Sequence, residues 1–276
     1  MEDRAYTASF ATIYDDIMGG VPYTIWYDYL HDIMNYYQFE AKKVLELACG
    51  TANMSLLFAR NAYQVSGLDI SNEMLSIAAK KIESAGQSID LIQGDLKDFN
   101  LKDKFDLVFC LFDSMNYILD INSLQKVFQN TYNVLKKDAC FIFDMNTINR
   151  LMSIKEGTTV LNGDNYSCIW EDIVDKTNGL WKVKLKIYLY DKGDYFEEFH
   201  QERGYPIRDV IQSLKKVGFK QVDVYNAYTF KKAKEKDNRI YYVAFLEERK
   251  NYEKPVFLKT AKHMKWKVRK IFSSSI

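Results

Sequence analysis

Two carboxylates and a short loop between them carry the chemistry that the chain announces first. The segment 43–69 reads KVLELACGTANMSLLFARNAYQVSGLD. Its apolar run at 44–47 contains Glu46 and ends in the small-residue turn Ala48-Cys49-Gly50-Thr51-Ala52. A helical pattern follows, and a second apolar run ends on Asp69. A strand, a tight loop that opens a helix, and an acidic residue about 20 positions on describe a site for an adenosine-type ligand, with Asp69 accepting hydrogen bonds from both ribose hydroxyls. Glu46 lies inside a strand, where a carboxylate is costly to bury without a partner.

Three cofactor classes compete for this loop. A dinucleotide fingerprint requires Gly-x-Gly-x-x-Gly, but those positions hold Ala48, Gly50 and Asn53. A P-loop requires Gly-Lys-Ser/Thr, which is absent. S-adenosylmethionine remains: it has an adenosine and no phosphates, so the loop needs only to pass close to an amino-acid moiety and a ribose.

The elements that position these groups follow from periodicity. Residues 1–40 read as helices, with a break at Gly19-Gly20 and a second helix starting at Pro22-Tyr23. Strands are expected at 65–68, 89–92, 105–111 and 140–143, with helices opening at Ser71 and spanning 121–135. Repeated strand–helix units predict a parallel sheet with helices on both faces. After about residue 151 the pattern alternates, at 158–161, 166–174, 181–190 and 195–205, between turn signals such as Asn178-Gly179. That predicts an inserted antiparallel sheet. A helix opens at Pro206 and stops at Gly218, and strands follow near 220–225 and 240–246.

The chain resembles the class I S-adenosylmethionine-dependent methyltransferases, and more narrowly the small-molecule branch that includes amino-sugar N-methyltransferases. Glu46, Ala48, Gly50, Thr51 and Asn53 match the acidic-residue and Gly-Thr-Gly-Asn-like pattern. Further matches are GLDISNEML (67–75), QGDL (93–96), FDLVFCLFDSMNYI (105–118), LKKDACFIFDMN (135–146) and FHQERGY (199–205). One departure is Ala52, where the family usually has Gly; its methyl could crowd the cofactor or force an unfavourable backbone angle.

The resemblance implies an α/β fold with a Rossmann-like, mostly parallel seven-stranded sheet and helices on both faces. The chain is expected to divide into N-terminal lid helices (1–40), a cofactor-binding domain (41–151 and 206–246), an inserted antiparallel subdomain on the acceptor side (152–205) and a basic amphipathic tail (247–276) that lies beyond the stretch the resemblance covers. The resemblance, with the residue chemistry, also assigns site residues. It places Glu46, Ala48, Gly50, Asp69, Ile70, Met74, Asp95, Leu96 and Phe112 around the cofactor, with Tyr14 and Trp26 as a lid whose rings face the sulfonium cation. Helix packing explains Trp26 equally well. Methyl transfer needs the acceptor aligned with the carbon–sulfur axis, and an amine must arrive deprotonated. Tyr117 and Asn116 are the residues expected to face the acceptor, Asp113 is a candidate proton acceptor, and Asp144 is a lesser one. His200 is a candidate base, since its reference pKa lies near neutrality, although cross-strand pairing also explains it.

Composition bounds the rest. The 276 residues are 47% hydrophobic and 27% charged, with aromatics at 15% and a net charge of +1. The segment 247–276 holds nine Lys or Arg and three Glu, a net +6, so the remainder carries about −5. The body of the chain is therefore no footprint for nucleic acid. The four cysteines show no metal-ligand spacing, which suits free thiols in a cytoplasmic protein with no bound metal. No apolar run reaches the length of a membrane span, and the N-terminus lacks a signal-peptide layout. The expected activity is methyl transfer to a small polar metabolite, at nitrogen before oxygen. The alternatives are a catalytically silent S-adenosylmethionine-binding protein, a nucleotide-dependent oxidoreductase and a nucleic-acid methyltransferase that uses the tail. Partner contacts are expected at 256–272, with a membrane surface or a protein, and an oligomer contact through the inserted sheet.

Overall fold

In the computed structural model the described residues are Tyr6, 8–191 and 193–249. The basic tail expected at 247–276 therefore falls almost wholly outside them. Among the described residues no helix is long and apolar enough to cross a membrane.

Two helices lead the chain, α1 (Ala8–Ile17) and α2 (Tyr23–Tyr36). Strand β1 (Lys43–Leu47) then enters a strand–helix alternation: α3 (Asn53–Arg60), β2 (Gln64–Asp69), α4 (Asn72–Ser84), β3 (Ile89–Gln93), β4 (Phe105–Cys110), α5 (Ile121–Val134) and β5 (Leu135–Asn146). A single 3-10 turn, Ser114–Tyr117, lies between β4 and α5. After the short α6 (Ile148–Met152) come the hairpin strands β6 (Gly157–Asn162), β7 (Tyr166–Asp175), β8 (Leu180–Leu189) and β9 (Asp194–Arg203). The chain then completes α7 (Ile207–Val217), β10 (Gln221–Asn226) and β11 (Arg239–Phe245).

The main sheet has the order β10-β11-β5-β4-β1-β2-β3. The five strands from β3 to β5 run parallel, and β11 is antiparallel to both of its neighbours. β1 is followed outward by β2 and β3 on one side, and β4 by β5 on the other. The strand order thus reverses between β1 and β4, and the crevice beyond their carboxyl ends is where an open α/β sheet binds ligands. Strands β1, β4 and β11 are buried on both faces, as the apolar runs required. Gly67 in β2 serves a close approach: a Cβ there would sit 2.9 Å from the Cys49 sulfur at the loop's start.

The second sheet, β6-β7-β8-β9, is wholly antiparallel. Its inner face buries Cys168, Val183, Leu185 and Ile187 against Phe10 and Ile13 of α1. That face holds the first helix over the crevice. Two element boundaries depart from expectation. The strand expected at 140–143 runs from 135 to 146, because β11 pairs it residue by residue from Cys140 to Asn146 and a register shift lets exposed Lys136 and Asp138 join at its start. The five-residue α6 gives no periodic signal, and its first turn is fixed by Thr147, whose Oγ1 accepts from Arg150 N at 3.0 Å. All four cysteines are buried free thiols.

Candidate active site

A cavity of about 680 Å³ opens at the crevice between the carboxyl ends of β1 and β4. Its floor is the loop 48–52, in which Ala48, Gly50 and Ala52 take φ of +53°, +52° and +62°. A left-handed alanine costs about 1–2 kcal/mol, so two in five residues mark a loop whose surroundings impose its path. The imposing contacts are visible. Asp69 Oδ2 accepts from Gly50 N at 2.7 Å, and its Oδ1 accepts from Ser71 N at 2.9 Å. Burial pushes the Asp69 carboxyl up, and the backbone donors from Ser71 and Gly50 offset part of that rise. Asp69 itself lines the cavity.

The Ala52 methyl does not enter the cavity. It is fully buried between α3 and α4 in a cluster with Leu56, Ala78 and Ile82. The departure from glycine is thus a question of backbone strain at the start of α3, not of space for a ligand. Glu46 lines the cavity, buried, with one oxygen accepting from Ser55 Oγ. Burial pushes its carboxyl up to about 8, and the Ser55 hydrogen bonds only moderate this.

A latch joins α1 to the loop. Asp15 Oδ1 accepts from Thr51 Oγ1 at 2.7 Å and Asn53 Nδ2 at 2.9 Å, while Oδ2 meets Lys81 Nζ of α4 at 2.6 Å. Burial would raise the Asp15 pKa, but the bonds from Lys81, Asn53 and Thr51 outweigh it and hold it below the usual range. No periodicity in the sequence ties Asp15 to Lys81, 66 positions apart.

A second chamber of about 240 Å³ lies between α1, the 3-10 turn and the inner face of the second sheet. The two cavities share Tyr6, Tyr14, Phe112 and Tyr117 as lining. Phe112 and Asp113 are consecutive left-handed residues, φ +59° and +55°, which turn the chain sharply after β4. Behind them sits a buried charge cluster. Arg239 Nη2 lies 3.2 Å from Asp113 Oδ1, and its Nη1 donates to Asp144 Oδ2. Asn146 Nδ2 donates to Asp113 Oδ2 at 2.5 Å and to Glu202 Oε2 at 3.1 Å. Burial raises Glu202 well above the carboxylate range, and the Asp113 charge raises it further. Burial also raises Asp144, with Arg239 opposing. Three carboxyls thus gather at a single guanidinium. Among the described residues no His, Cys, Asp and Glu group has a metal-holding arrangement.

Glu198, His200 and Glu202 alternate along β9 and form one buried row, of which His200 and Glu202 line the chamber. His200 Nδ1 lies 3.1 Å from the Tyr117 hydroxyl, which also accepts from Tyr6 OH at 3.1 Å. Tyr117 therefore donates to Nδ1, which puts the ring proton on Nε2, 3.6 Å from Glu198 Oε2. Burial pushes His200 down to about 4, so the ring is neutral near pH 7.

Of the residues expected around a cofactor, Tyr14, Glu46, Ala48, Gly50, Asp69, Ile70, Met74, Asp95, Leu96 and Phe112 all line the first cavity. Trp26 does not. It is buried against Phe112, ring centroids 4.8 Å apart, and borders the second chamber. Tyr117, Asp113 and His200 meet at that chamber. Asn116 lines neither cavity. Its amide donates to Asn146 O at 3.0 Å and Arg203 O at 2.8 Å and accepts from Asn146 N at 2.9 Å, so it clamps the 3-10 turn to β5 and β9. Reading along the sequence missed Tyr6, Tyr23, Trp170, Trp181 and Arg239 as lining. For Arg239 a signal existed, since a cation opening the apolar run RIYYVAF requires a buried acid.

Comparison with known proteins agrees with this geometry. A family model described as a methyltransferase domain matches residues 44–138. The crystal structure of an S-adenosylmethionine-dependent methyltransferase from Clostridium acetobutylicum ATCC 824 is 31% identical, covers 87% of this chain and 98% of its own, and superposes with a TM-score of 0.76. YqeM of Bacillus subtilis (strain 168) is 28% identical over 239 residues, 85% of this chain and 95% of that protein. A dTDP-3-amino-3,4,6-trideoxy-alpha-D-glucopyranose N,N-dimethyltransferase from Streptomyces venezuelae is 37% identical over 79 residues, 29% of this chain and 32% of that protein. The crevice at the sheet's reversal point, the acid closing β2, and a likeness to the clostridial enzyme that spans nearly all of that protein agree: the chain belongs to the S-adenosylmethionine-dependent methyltransferases.

Proposed function

We propose that the protein transfers a methyl group to the nitrogen of a small-molecule amine. The observation that carries this reading is the gathering of three carboxyls, Asp113, Asp144 and Glu202, at the one guanidinium of Arg239, beside a chamber that adjoins the donor cavity. A neutral hydroxyl acceptor gains little from such a site, whereas an amine that becomes a cation on methylation is stabilised by it.

The residues present fit the donor. The Asp69 carboxylate lines the cavity, where it can accept from a ribose hydroxyl, and the cavity volume suits a ligand of that size. Asp69 would hold the ribose, Met74 and Phe112 the base, Asp95 and Leu96 its edge, and Glu46 with the loop at Ala48 and Gly50 the amino-acid end. When bound, the donor supplies an electrophilic methyl carbon on a sulfonium. Tyr14 and Tyr117 stand between the cavities and exclude water from the reacting line. His200, neutral and hydrogen-bonded to Tyr117, reads as a residue that fixes the phenol rather than as a base. Asp113 is the better candidate to take a proton from an incoming ammonium.

Titration calorimetry with S-adenosylmethionine, in buffers of different ionisation heat, tests the donor half. Cation binding beside Glu46 lowers its pKa, so binding releases protons between about pH 5 and 8, and Glu46→Gln reduces that release. A turnover assay with a panel of amines and alcohols tests the acceptor half. Tight binding without transfer to any amine would contradict the reading.

A further inference from the structure

We propose that the acceptor is a compact arylalkyl amine carrying no phosphate, its ring held between the indoles of Trp170 and Trp181 and its nitrogen facing Asp113 and Glu202. The inference rests on the N-methyl transfer reading above and names the acceptor class within it.

Three observations carry it. The first is a built aromatic wall. Trp170 of β7 and Trp181 of β8 both donate their indole N–H to the same oxygen of Asp172, at 3.0 and 2.9 Å. One carboxylate thus fixes two rings and uses up their polar atoms, so the carbon surface of each indole is what remains for the chamber they line. The wall also stacks well with a cationic product, because ring faces attract positive charge.

The second is the charge balance. Among the described residues that line the chamber, Arg239 is the only Lys or Arg, and it already serves Asp113 and Asp144. Phosphate recognition relies on free guanidinium or ammonium groups. A nucleotide diphosphate here would meet carboxyls with no uncommitted cation, and like charges across an interface exclude a ligand. The third is polar satisfaction. His200 Nε2 is buried at the chamber and has no hydrogen-bond partner among the described residues. Because it carries the ring proton it can only donate, so the contact it offers is to a ring face or a hydroxyl of the acceptor rather than to the ammonium. The chamber volume, about 240 Å³, lies just below the roughly 300–1,000 Å³ of drug-sized sites and favours a small ligand.

The step balances without a further reagent. An acceptor that arrives as ammonium passes one proton to the carboxyl cluster. The nitrogen lone pair then forms the N–C bond as the C–S bond breaks, with that bond's electron pair remaining on sulfur. The positive charge moves from sulfur to nitrogen, where the ring faces of the two indoles meet it.

The experiment uses the full chain with saturating methyl-labelled S-adenosylmethionine. Phenethylamine and tryptamine are compared with a dTDP-linked amino sugar. The expected result is labelled N-methyl product from the arylalkyl amines, with kcat/KM roughly tenfold or more above that of the nucleotide sugar. Asp172→Ala releases the indoles and raises KM for phenethylamine about tenfold while changing kcat little; Asp172→Asn, which keeps an acceptor oxygen, recovers most of the loss. Trp181→Leu should raise KM similarly and Trp181→Phe much less, which covers the case in which Asp172→Ala fails to fold. Preference for the nucleotide sugar, or an unchanged KM in both Asp172→Ala and Trp181→Leu, overturns this inference and leaves N-methyl transfer standing. Donor binding with no transfer to any of the three amines overturns both.

Discussion

The donor cavity and the acceptor chamber share a wall at Tyr14, Phe112 and Tyr117 but are assembled in opposite ways. Main-chain geometry and neighbours within one strand–helix–strand unit build the donor side: a left-handed loop, an acid 19 residues on, and the capped start of α4. Side chains far apart in sequence build the acceptor side. Asp113 meets Arg239, Asn146 meets Glu202, and Tyr117 meets His200 across 83 positions. The contrast teaches that donor binding here depends on backbone path, and acceptor recognition on buried charge. Substitutions should therefore separate the two.

The largest effect is expected at Arg239. Arg239→Met leaves Asp113 and Asp144 buried without their cation, and breaking one side of a buried ion cluster costs about 3–5 kcal/mol. Chemical denaturation should show that loss. Replacing Asp144 by Leu in the same chain should restore much of it, because the uncompensated charge goes with it. If Arg239→Met is no less stable than the parent, the acceptor side does not rest on charge balance.

Asp69→Ala comes next. It removes the acceptor for Gly50 N and Ser71 N together with the ribose partner, so the S-adenosylmethionine Kd should rise about 100-fold by calorimetry. Binding of an amine to the chamber should change much less, and an equal loss on both sides would erase the contrast. Asp15→Asn weakens the latch between α1 and Thr51, Asn53 and Lys81. Since this pair is partly exposed, donor affinity should fall only about three- to tenfold, with faster dissociation in stopped-flow traces.

A pH experiment sharpens the comparison further. His200 has a folded pKa depressed to about 4 from 6.5, so its contribution to stability is present above pH 6.5 and is lost as pH falls toward 4. Glu46 has a raised pKa, so it works the other way: its cost is absent below about 4.5 and grows as pH rises through 8. Thermal melts of His200→Gln should flatten the acid limb, and those of Glu46→Gln the limb between about pH 5 and 8.

The smallest effect is expected at Ala52→Gly. Relief of the left-handed φ of +62° gains roughly 1 kcal/mol, but loss of a methyl packed on Leu56, Ala78 and Ile82 costs about as much. Stability and donor affinity should both stay close to the parent.

The same contrast explains what the sequence could disclose. Strand–helix periodicity gave the sheet and its inserted hairpins, and the 48–52 loop with Asp69 gave the donor side, because each lies within one local unit. The extent of β5 escaped, since its last residues are strand only through pairing with β11. Asn116 was expected to face the acceptor and instead clamps backbone, because its partners Asn146 and Arg203 come from strands that only the topology brings near. Asp172 gave no signal at all: its role depends on two tryptophans on adjacent strands meeting one oxygen.

The most direct measurement is the chemical shift of the transferred carbon. The full chain is incubated with S-adenosylmethionine labelled in its methyl carbon and with tyramine, which offers an amine and a phenol to the same chamber. The expected result is a new N-methyl resonance that is strongly diminished in Asp113→Asn and, at donor concentrations well below the raised Kd, in Asp69→Ala. An O-methyl resonance, or no new signal from a protein that binds the donor, would contradict it.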